Sequence, residues 1–325
     1  MLLFALNETG PFGADVARHF GVGLSPHEER DFEDGEHKAR PLVSVRGKDT
    51  YVIQSLHTGP HASANDKLCK LLFFLSTLRE NGATRVTALV PYLAYARKDR
   101  QTKSRDPVTT QYVARLFEAA GADCIVTLDV HNIVAFQNAY RCRTIHLDTR
   151  ALFVRQVIEL AKANSIAVIS PDPGGVKRAQ LFREMLEKQL QKPVGQAFID
   201  KRRSAGVVSG ELLVGDVKGK MAVVIDDLIA SGGTMARAAA AAMDHGASKV
   251  IACAAHGLFT GDASATLSSS SVQLVMVTDS VPSFRLDERI ATSRLQIISA
   301  APLFAECIRC LTEGLPITKL LGDED

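Results

Sequence analysis

Residues 222–234 read AVVIDDLIASGGT, and this stretch decides the fold of the 325-residue chain. Its four apolar residues at 222–225 predict a buried strand, with Asp226 and Asp227 at the carboxyl end. A turn of small residues follows, and we expect an alanine-rich helix to begin at about Met235. A strand followed by a loop and a helix is the unit in which α/β proteins place their ligands.

The turn after the carboxylates has the composition of a phosphate site. It consists of Ala230, Ser231, Gly232, Gly233 and Thr234. Small residues let backbone N–H groups converge on a phosphate, and the helix amino terminus adds a positive dipole. Adjacent carboxylates repel a phosphate but suit ribose hydroxyls or a magnesium ion. The alternative is a strand end with helix-capping Asp and Thr side chains, but the complete order favours a sugar-phosphate site. It is not a Walker loop, since no Gly-Lys-Ser/Thr follows the turn.

A second kind of join, in which a helix ends at a glycine and a strand follows, occurs three times, in residues 81–90, 120–129 and 245–254. This recurrence predicts parallel sheets wrapped by helices. Leucines at helical spacing in 66–81 predict an amphipathic helix that starts at Asn65 or Asp66 and stops at Gly82. Residues 85–90 then predict a buried strand. The fold class is therefore α/β.

Chain length predicts two α/β domains, with a boundary near residue 148. We expect an amino-terminal domain over 1–147 and a carboxyl-terminal domain over 148–302. Residues 303–321 carry apolar side chains at helical spacing, so 303–325 is expected to pack back on the first domain. The low-complexity tract 264–271, SATLSSSS, predicts a surface loop.

Composition narrows the class of protein. The 38 Lys and Arg residues against 36 Asp and Glu give a net charge of +2, which excludes a strongly basic nucleic-acid binder. No stretch approaches the roughly 20 apolar residues of a membrane span, and residues 1–10 lack the features of a signal peptide. The C-x-x-C of Cys307 and Cys310 lacks the further ligands of a zinc site, so buried helical thiols are favoured. We expect a reduced, soluble, cytoplasmic protein with no nucleic-acid or membrane partner.

Three polar segments follow predicted strands. Residues 97–105 hold five basic residues against the single acid Asp99. Such a run is usually a solvated loop, but its place directly after a strand favours a ligand site. Asp129 and His131, two apart on a predicted strand, are expected to point to the same side, although a lone His there is more often a packing residue. Residues 201–203, KRR, follow a strand-like segment, and composition alone does not distinguish a ligand site there from an exposed basic turn.

The stretch VVIDDLIASGGT resembles the phosphoribosyl pyrophosphate motif shared by phosphoribosyltransferases and ribose-phosphate diphosphokinases. The second family is similar over residues 4–320. Six further segments resemble its motifs in order, namely FEDGE (32–36), PYLAYARKDRQTKSRDP (91–107), TLDVH (127–131), SPDPGGVKRA (170–179), DKRR (200–203) and GDVKGK (215–220).

This resemblance implies a magnesium-dependent enzyme that transfers the diphosphoryl group of ATP to the 1-hydroxyl of ribose 5-phosphate, giving phosphoribosyl pyrophosphate and AMP. It implies two similar domains of the phosphoribosyltransferase type, each a mostly parallel sheet flanked by helices, in a homo-oligomer, either a hexamer or a dimer. ATP would be held by Asp34, Gly35, Glu36, Arg97 and Lys98. Lys98 stands where the family usually has Gln, and Ala230 where most relatives have Ser, Thr or Asp.

The resemblance also implies roles for the other polar segments. His131 and Asp172 would bind magnesium, and Lys201 and Arg203 would be the catalytic pair. Ribose 5-phosphate would be held by Arg203, Asp226, Asp227 and the turn 230–234. Two alternatives remain. A phosphoribosyltransferase would share the 224–234 loop but leaves 32–36 and 91–107 unexplained, and a non-catalytic regulatory homologue would be expected to lose His131, Lys201 or Arg203.

Overall fold

The computed structural model describes residues 1–162, 164–204 and 207–321; of residues 201–204, 207–211 and 319 it describes the backbone alone. The chain divides into two compact units. One is Met1–Asp148 with the carboxyl-terminal segment from Ala300, and the other is Thr149–Ser299. Strands and helices alternate in both units, so the predicted α/β class is confirmed.

The strands, in chain order, are β1 (Leu2–Ala5), β2 (His27–Asp31), β3 (His37–Pro41), β4 (Asp49–Ile53), β5 (Arg85–Val90), β6 (Cys124–Leu128), β7 (Arg143–Leu147), β8 (Ile166–Ser170), β9 (Gly195–Ser204), β10 (Val207–Gly215), β11 (Met221–Ile229), β12 (Lys249–Gly257), β13 (Val272–Thr278) and β14 (Leu295–Ile298). The α-helices are α1 (Gly10–Phe20), α2 (Ala64–Glu80), α3 (Thr109–Ala119), α4 (Ile133–Ala139), α5 (Arg150–Ala161), α6 (Val176–Leu190), α7 (Gly233–Asp244), α8 (Ala263–Ser269), α9 (Glu288–Arg294) and α10 (Ala301–Glu313). Short 3-10 turns lie at Asn7–Thr9, Pro173–Gly175 and Thr318–Leu321.

Each unit is built on one main sheet. Among the described residues, the first sheet has the order β1-β4-β5-β6-β7, with every neighbouring pair parallel. Strands β2 and β3 form a separate antiparallel hairpin in the same unit. The second sheet has the order β10-β9-β8-β11-β12-β13-β14, and its pairs are parallel apart from β9 with β10. The carboxyl ends of the parallel strands therefore share one edge in each sheet.

Helices cover both faces of each sheet, as a parallel sheet requires. In the first unit, Phe74 of α2 and Phe117 of α3 are buried on one face. Phe304 of α10 is buried on the other face and packs edge-on against Phe12 of α1, with ring centroids 5.5 Å apart. In the second unit α7 covers one face and α5 and α6 cover the other.

The three predicted joins and the helix predicted over 66–81 agree closely with the structure. Gly82, Gly121 and Gly246 each follow a helix, and each glycine has φ of 83–87°. In this left-handed conformation glycine ends a helix without steric cost. Helix α2 starts at Ala64, slightly earlier than predicted. Its cap is Ser63, whose hydroxyl accepts from the backbone N–H of Asp66 while the Asp66 carboxylate accepts from that of Ser63. Strand β5 has the predicted bounds.

Three sequence predictions were wrong in detail. The tract 264–271 is not a surface loop, because it contains most of α8, where Leu267 is buried with Ala263 at helical spacing. The strand predicted over 222–225 continues to Ile229, since β12 pairs with it as far as Gly257. The helical pattern of 303–321 is split between α10 and the 3-10 turn Thr318–Leu321.

The cysteines agree with the expectation for the C-x-x-C motif. All six cysteines are free thiols, and Cys307 and Cys310 are buried on α10 as predicted. Within the part of the chain that the structure describes, no helix has the length and apolar character needed to cross a membrane.

Candidate functional site

The acidic pair lies inside β11, and strand alternation gives its two members different surroundings. The side chain of Asp226 is 20% exposed, whereas that of Asp227 is 5% exposed. The backbone N–H of Asp227 donates to Oδ1 of Asp226 at 2.9 Å. Burial, and then the negative charge of Asp227, raise the pKa of Asp226 from 3.8 to about 7. A pair of this kind favours a cation or hydroxyl donors beside it.

Residues 230–234 lead from β11 into α7, and no side chain closes the helix end. Gly232 is the N-cap, with φ of 79° and no side-chain hydrogen bond at the cap. The N–H groups of a helix's first turn lack acceptors within the helix. The carbonyl of Ala230 accepts from the N–H of Thr260 at 2.9 Å, which ties the loop to the segment after β12. The exposed Ser231 and half-buried Thr234 stand beside these donors, so the loop has the features of an anion site.

Two arginines that the sequence analysis did not single out lie at this loop. Nη1 of Arg178, on α6, is 3.3 Å from Oδ1 of Asp226 and 3.6 Å from Oδ1 of Asp227. Nη2 of Arg237, one turn into α7, is 3.4 Å from Oγ1 of Thr234. The available signal for Arg178 was its place in the segment SPDPGGVKRA, whereas Arg237 had none beyond its spacing from Gly233.

Asp172 follows β8 at the same edge of the second sheet as the acidic pair. Its Oδ1 accepts from the N–H of Gly175 at 3.1 Å and so caps the turn Pro173–Gly175. The hydroxyl of Ser170 donates to the carbonyl of Asp172 at 2.6 Å and fixes the backbone there. One carboxylate oxygen of Asp172 therefore has a defined structural use.

The predicted catalytic pair lies partly outside the described residues. The backbones of Lys201 and Arg203 belong to β9, which is parallel to β8 and antiparallel to β10. Their side chains lie outside what the structure describes. The roles of Lys201 and Arg203 stay predictions.

Asp34, Gly35 and Glu36 lie in the exposed turn between β2 and β3. Oδ1 of Asp34 accepts from the N–H of Glu36 at 3.1 Å, and Gly35 has φ of 89°. The N–H of Phe32 donates to the carbonyl of Glu36 at 2.7 Å and closes the turn. At the base of the turn, Nζ of Lys70 on α2 is 2.6 Å from Oδ1 of Asp31.

The basic segment 97–105 follows β5 at the carboxyl edge of the first sheet. Arg97 is exposed and makes no ion pair within the described residues. Nζ of Lys98 contacts Oδ2 of Asp106 and lies 3.1 Å from Oγ1 of Thr102. Lys98 is the largest cause of a pKa of Asp106 far below its usual value. The positive charge that Lys98 adds is thus balanced inside the segment.

His131 is exposed and lies beyond the end of β6. The expectation that Asp129 and His131 share a strand face was wrong, because β6 ends at Leu128 and Asp129 has φ of 35°. Next to His131, Nδ2 of Asn132 donates to Oδ2 of Asp99 at 2.5 Å. This bond joins the loop after β6 to the basic segment.

The structure thus divides the predicted residues between the two units. Those named for ATP, together with His131, belong to the first unit, and Asp172 and the 226–234 loop belong to the second. Among the described residues, no three His, Cys, Asp or Glu side chains are grouped closely enough to hold a metal.

Models of two known families match the amino-terminal and carboxyl-terminal parts of the chain. The model of the N-terminal domain of ribose phosphate pyrophosphokinase matches residues 1–121, and that of the phosphoribosyl synthetase-associated domain matches residues 208–321.

Individual relatives match almost the whole chain. The ribose-phosphate pyrophosphokinase of Caldanaerobacter subterraneus subsp. tengcongensis is 38% identical, over 98% of this chain and 96% of its own length. That of Granulibacter bethesdensis is 36% identical, over 98% of this chain and 99% of its own. The crystal structure of phosphoribosylpyrophosphate synthetase from Mycobacterium smegmatis superposes with a TM-score of 0.85 at 33% identity, covering 96% of this chain and 99% of that one.

Proposed function

This chain belongs to the ribose-phosphate pyrophosphokinase family, and from that membership we propose how its residues share the reaction. The enzyme is an ATP-dependent diphosphotransferase that makes phosphoribosyl pyrophosphate and AMP from ATP and ribose 5-phosphate. The first unit is the ATP-contacting unit in this proposal, and the second holds ribose 5-phosphate.

The loop at 226–234 is the observation that carries the proposal. The 5-phosphate would accept hydrogen bonds from the first-turn N–H groups of α7 and from the hydroxyls of Ser231 and Thr234. The ribose hydroxyls would donate to the carboxylates of Asp226 and Asp227. The short distance along the chain between a carboxylate pair and an uncapped helix end suits a small sugar phosphate, which carries both kinds of group.

ATP would contact Asp34, Gly35 and Glu36 of the hairpin turn together with Arg97 and Lys98. Arg97 supplies an exposed cation free to meet the polyphosphate, which supports this assignment. Lys98 would act chiefly by keeping the basic segment folded around Asp106, with less charge left for the nucleotide.

Lys201 and Arg203 would be the catalytic pair, and Arg203 would also touch ribose 5-phosphate. Diphosphoryl transfer builds negative charge on phosphate oxygens in the transition state. Fixed cations lower that barrier without forming a covalent bond to substrate.

Asp172 and His131 would each serve as a magnesium ligand, and magnesium would offset negative charge on the phosphates. The carboxylate of Asp172 is the kind of ligand that magnesium prefers, and the ion would take most of its other ligands from substrate phosphates and water. One oxygen of Asp172 already caps a turn, which leaves the other as a metal ligand.

We also propose a cytoplasmic homo-oligomer, either a hexamer or a dimer. Four large apolar side chains of α3 and α4 are 41–61% exposed, namely Tyr112, Leu116, Ile133 and Val134. Burial of such side chains against another copy would remove their apolar surface from water. The six free thiols support a reducing compartment.

Paired kinetics of AMP formation test the division of the substrates. Thr234→Ala removes a hydroxyl donor to a charged phosphate, worth about 1.5–3 kcal/mol, and should raise KM for ribose 5-phosphate by about one to two decades. Arg97→Ala should instead raise KM for ATP. Thr292→Ala and Arg115→Ala, exposed changes of the same types in the same units, should alter neither constant. Equal changes of both constants in Thr234→Ala, or none, would contradict the proposal.

A further inference from the structure

A buried lysine lies beneath the segments assigned to ATP. Lys67 is on the first turn of α2, and its side chain is 0% exposed. Its Nζ is 3.2 Å from Nε2 of His57 and 3.6 Å from Oε2 of Glu8. A buried ammonium is costly unless it is paired and hydrogen-bonded, so these contacts fix where the helix begins.

His57 joins the buried lysine to the chain after β4. A lysine ammonium only donates, so Nε2 of His57 would accept from Lys67 and leave Nδ1 to donate. Nδ1 of His57 is 3.2 Å from Oγ of Ser55. The position of Lys67 is therefore linked through His57 to the segment after β4.

The same network reaches the end of β1. The hydroxyl of Thr9 donates to Oε1 of Gln54 at 3.1 Å and accepts from the N–H of Ser55 at 3.0 Å. Gly59 passes so close that an added Cβ would lie 3.2 Å from both Nζ of Lys67 and Oε2 of Glu8. The chain after β1, the chain after β4 and the start of α2 are thus tied together around one ammonium group.

The first two turns of α2 also contact both segments assigned to ATP. Oδ1 of Asn65 accepts from the hydroxyl of Tyr95, two residues before Arg97. The carbonyl of Tyr95 in turn accepts from the hydroxyl of Thr110 at 3.1 Å. Lys70, on the next turn of α2, pairs with Asp31 at the base of the hairpin turn.

We propose that the cluster of Lys67, His57 and Glu8 positions the two ATP-contacting segments through the start of α2. This inference rests on the proposed function. Lys67 is a positioning residue, because a fully buried side chain does not reach substrate. Its loss should let α2 shift at its amino end and should displace Tyr95 and Asp31 together.

Lys67→Met tests the inference in the full-length enzyme. We expect KM for ATP to rise about tenfold while KM for ribose 5-phosphate changes less than twofold. Arg79→Met is the matched control, since Arg79 lies on the last turn of the same helix and pairs with Asp123. It should lower the melting temperature without changing KM for ATP. An unchanged KM for ATP in folded Lys67→Met, or an equal rise in Arg79→Met, would overturn the inference.

A second set of variants avoids the buried site in case Lys67→Met does not fold. Asn65→Ala and Tyr95→Phe each remove one partner of a single hydrogen bond. Each should raise KM for ATP several-fold, and the double variant should be no worse than either single one, since both act through one bond. Additive effects, or no effect, would overturn the inference. If the wild-type enzyme itself formed no AMP from ATP and ribose 5-phosphate, that result would instead contradict the proposed function.

Discussion

The guanidinium of Arg178 lies against the carboxylate of Asp226, with Nη1 of Arg178 3.3 Å from Oδ1 of Asp226. The same nitrogen is 3.6 Å from Oδ1 of Asp227, so one cation serves both members of the acidic pair. Arg178 lowers the pKa of Asp226, against the larger opposing effects of burial and of Asp227. It therefore favours the ionised form of Asp226, which in the proposed site would accept from the ribose hydroxyls.

Arg178→Gln should raise KM for ribose 5-phosphate about tenfold at pH 7 and leave KM for ATP unchanged. Without the guanidinium the pKa of Asp226 rises further, so the pH at which KM for ribose 5-phosphate falls should move upward. Steady-state kinetics between pH 6 and 9 would show this shift. Arg183→Gln is the control, because Arg183 is equally exposed on the same helix but pairs with Glu187. The same shift in Arg183→Gln would contradict this role of Arg178.

Asp226 should also make stability depend on pH. Its pKa is 3.8 in the unfolded chain and about 7 in the folded one. Between these values the folded state holds a proton that the unfolded state has released, so the free energy of unfolding falls as pH rises from about 4 to 7. Asp226→Asn stays neutral and lacks this decline. Denaturant unfolding at pH 5 and pH 8 should show the variant gaining stability relative to wild type at the higher pH. A constant difference between the two proteins would show that the pKa of Asp226 is not raised.

Lys201→Ala should fold normally and lose most turnover. A cation that acts mainly in the transition state is worth about 3–4 kcal/mol, or two to three decades of kcat. Measurement of kcat beside a thermal melting curve separates this loss from unfolding. A kcat close to that of wild type would remove Lys201 from the catalytic pair.

Ala230→Ser should lower KM for ribose 5-phosphate several-fold and leave KM for ATP nearly unchanged. Among the described residues, no side chain accepts from the N–H groups at the start of the helix after this position, so they stay available to a phosphate. An added hydroxyl would supply a further donor beside those of Ser231 and Thr234. Kinetics with each substrate varied in turn would measure the effect. A KM for ribose 5-phosphate that stays the same or rises would mean that the turn is complete without the hydroxyl.

Local pattern predicted much of this fold. Leucine spacing located α2 because one helical face is buried, and glycine marked the three joins because the left-handed conformation is costly for other residues. The tract 264–271 was misassigned because its serines outweighed Leu267, whose burial depends on the core of the second unit. Composition does not record such tertiary packing.

The candidate site was predictable where motif residues are consecutive in the chain, as in 226–234. Arg178 was missed as a partner of Asp226 because the two are 48 residues apart, and only the pairing of β8 with β11 brings their segments together. The ion pair of Lys98 with Asp106 was also missed. A run of basic residues suggests a binding surface, and only the folded structure shows that one of these charges is paired inside the segment.

Phosphorus-31 NMR of the purified enzyme with ATP, ribose 5-phosphate and magnesium tests the central claim most directly. We expect the signals of AMP and of a diphosphate bonded at C1 of ribose to grow in equal amounts, and neither to form when ribose 5-phosphate is omitted. Formation of ADP and inorganic phosphate, no consumption of ATP, or a reaction that requires a nucleobase would contradict diphosphoryl transfer to ribose 5-phosphate.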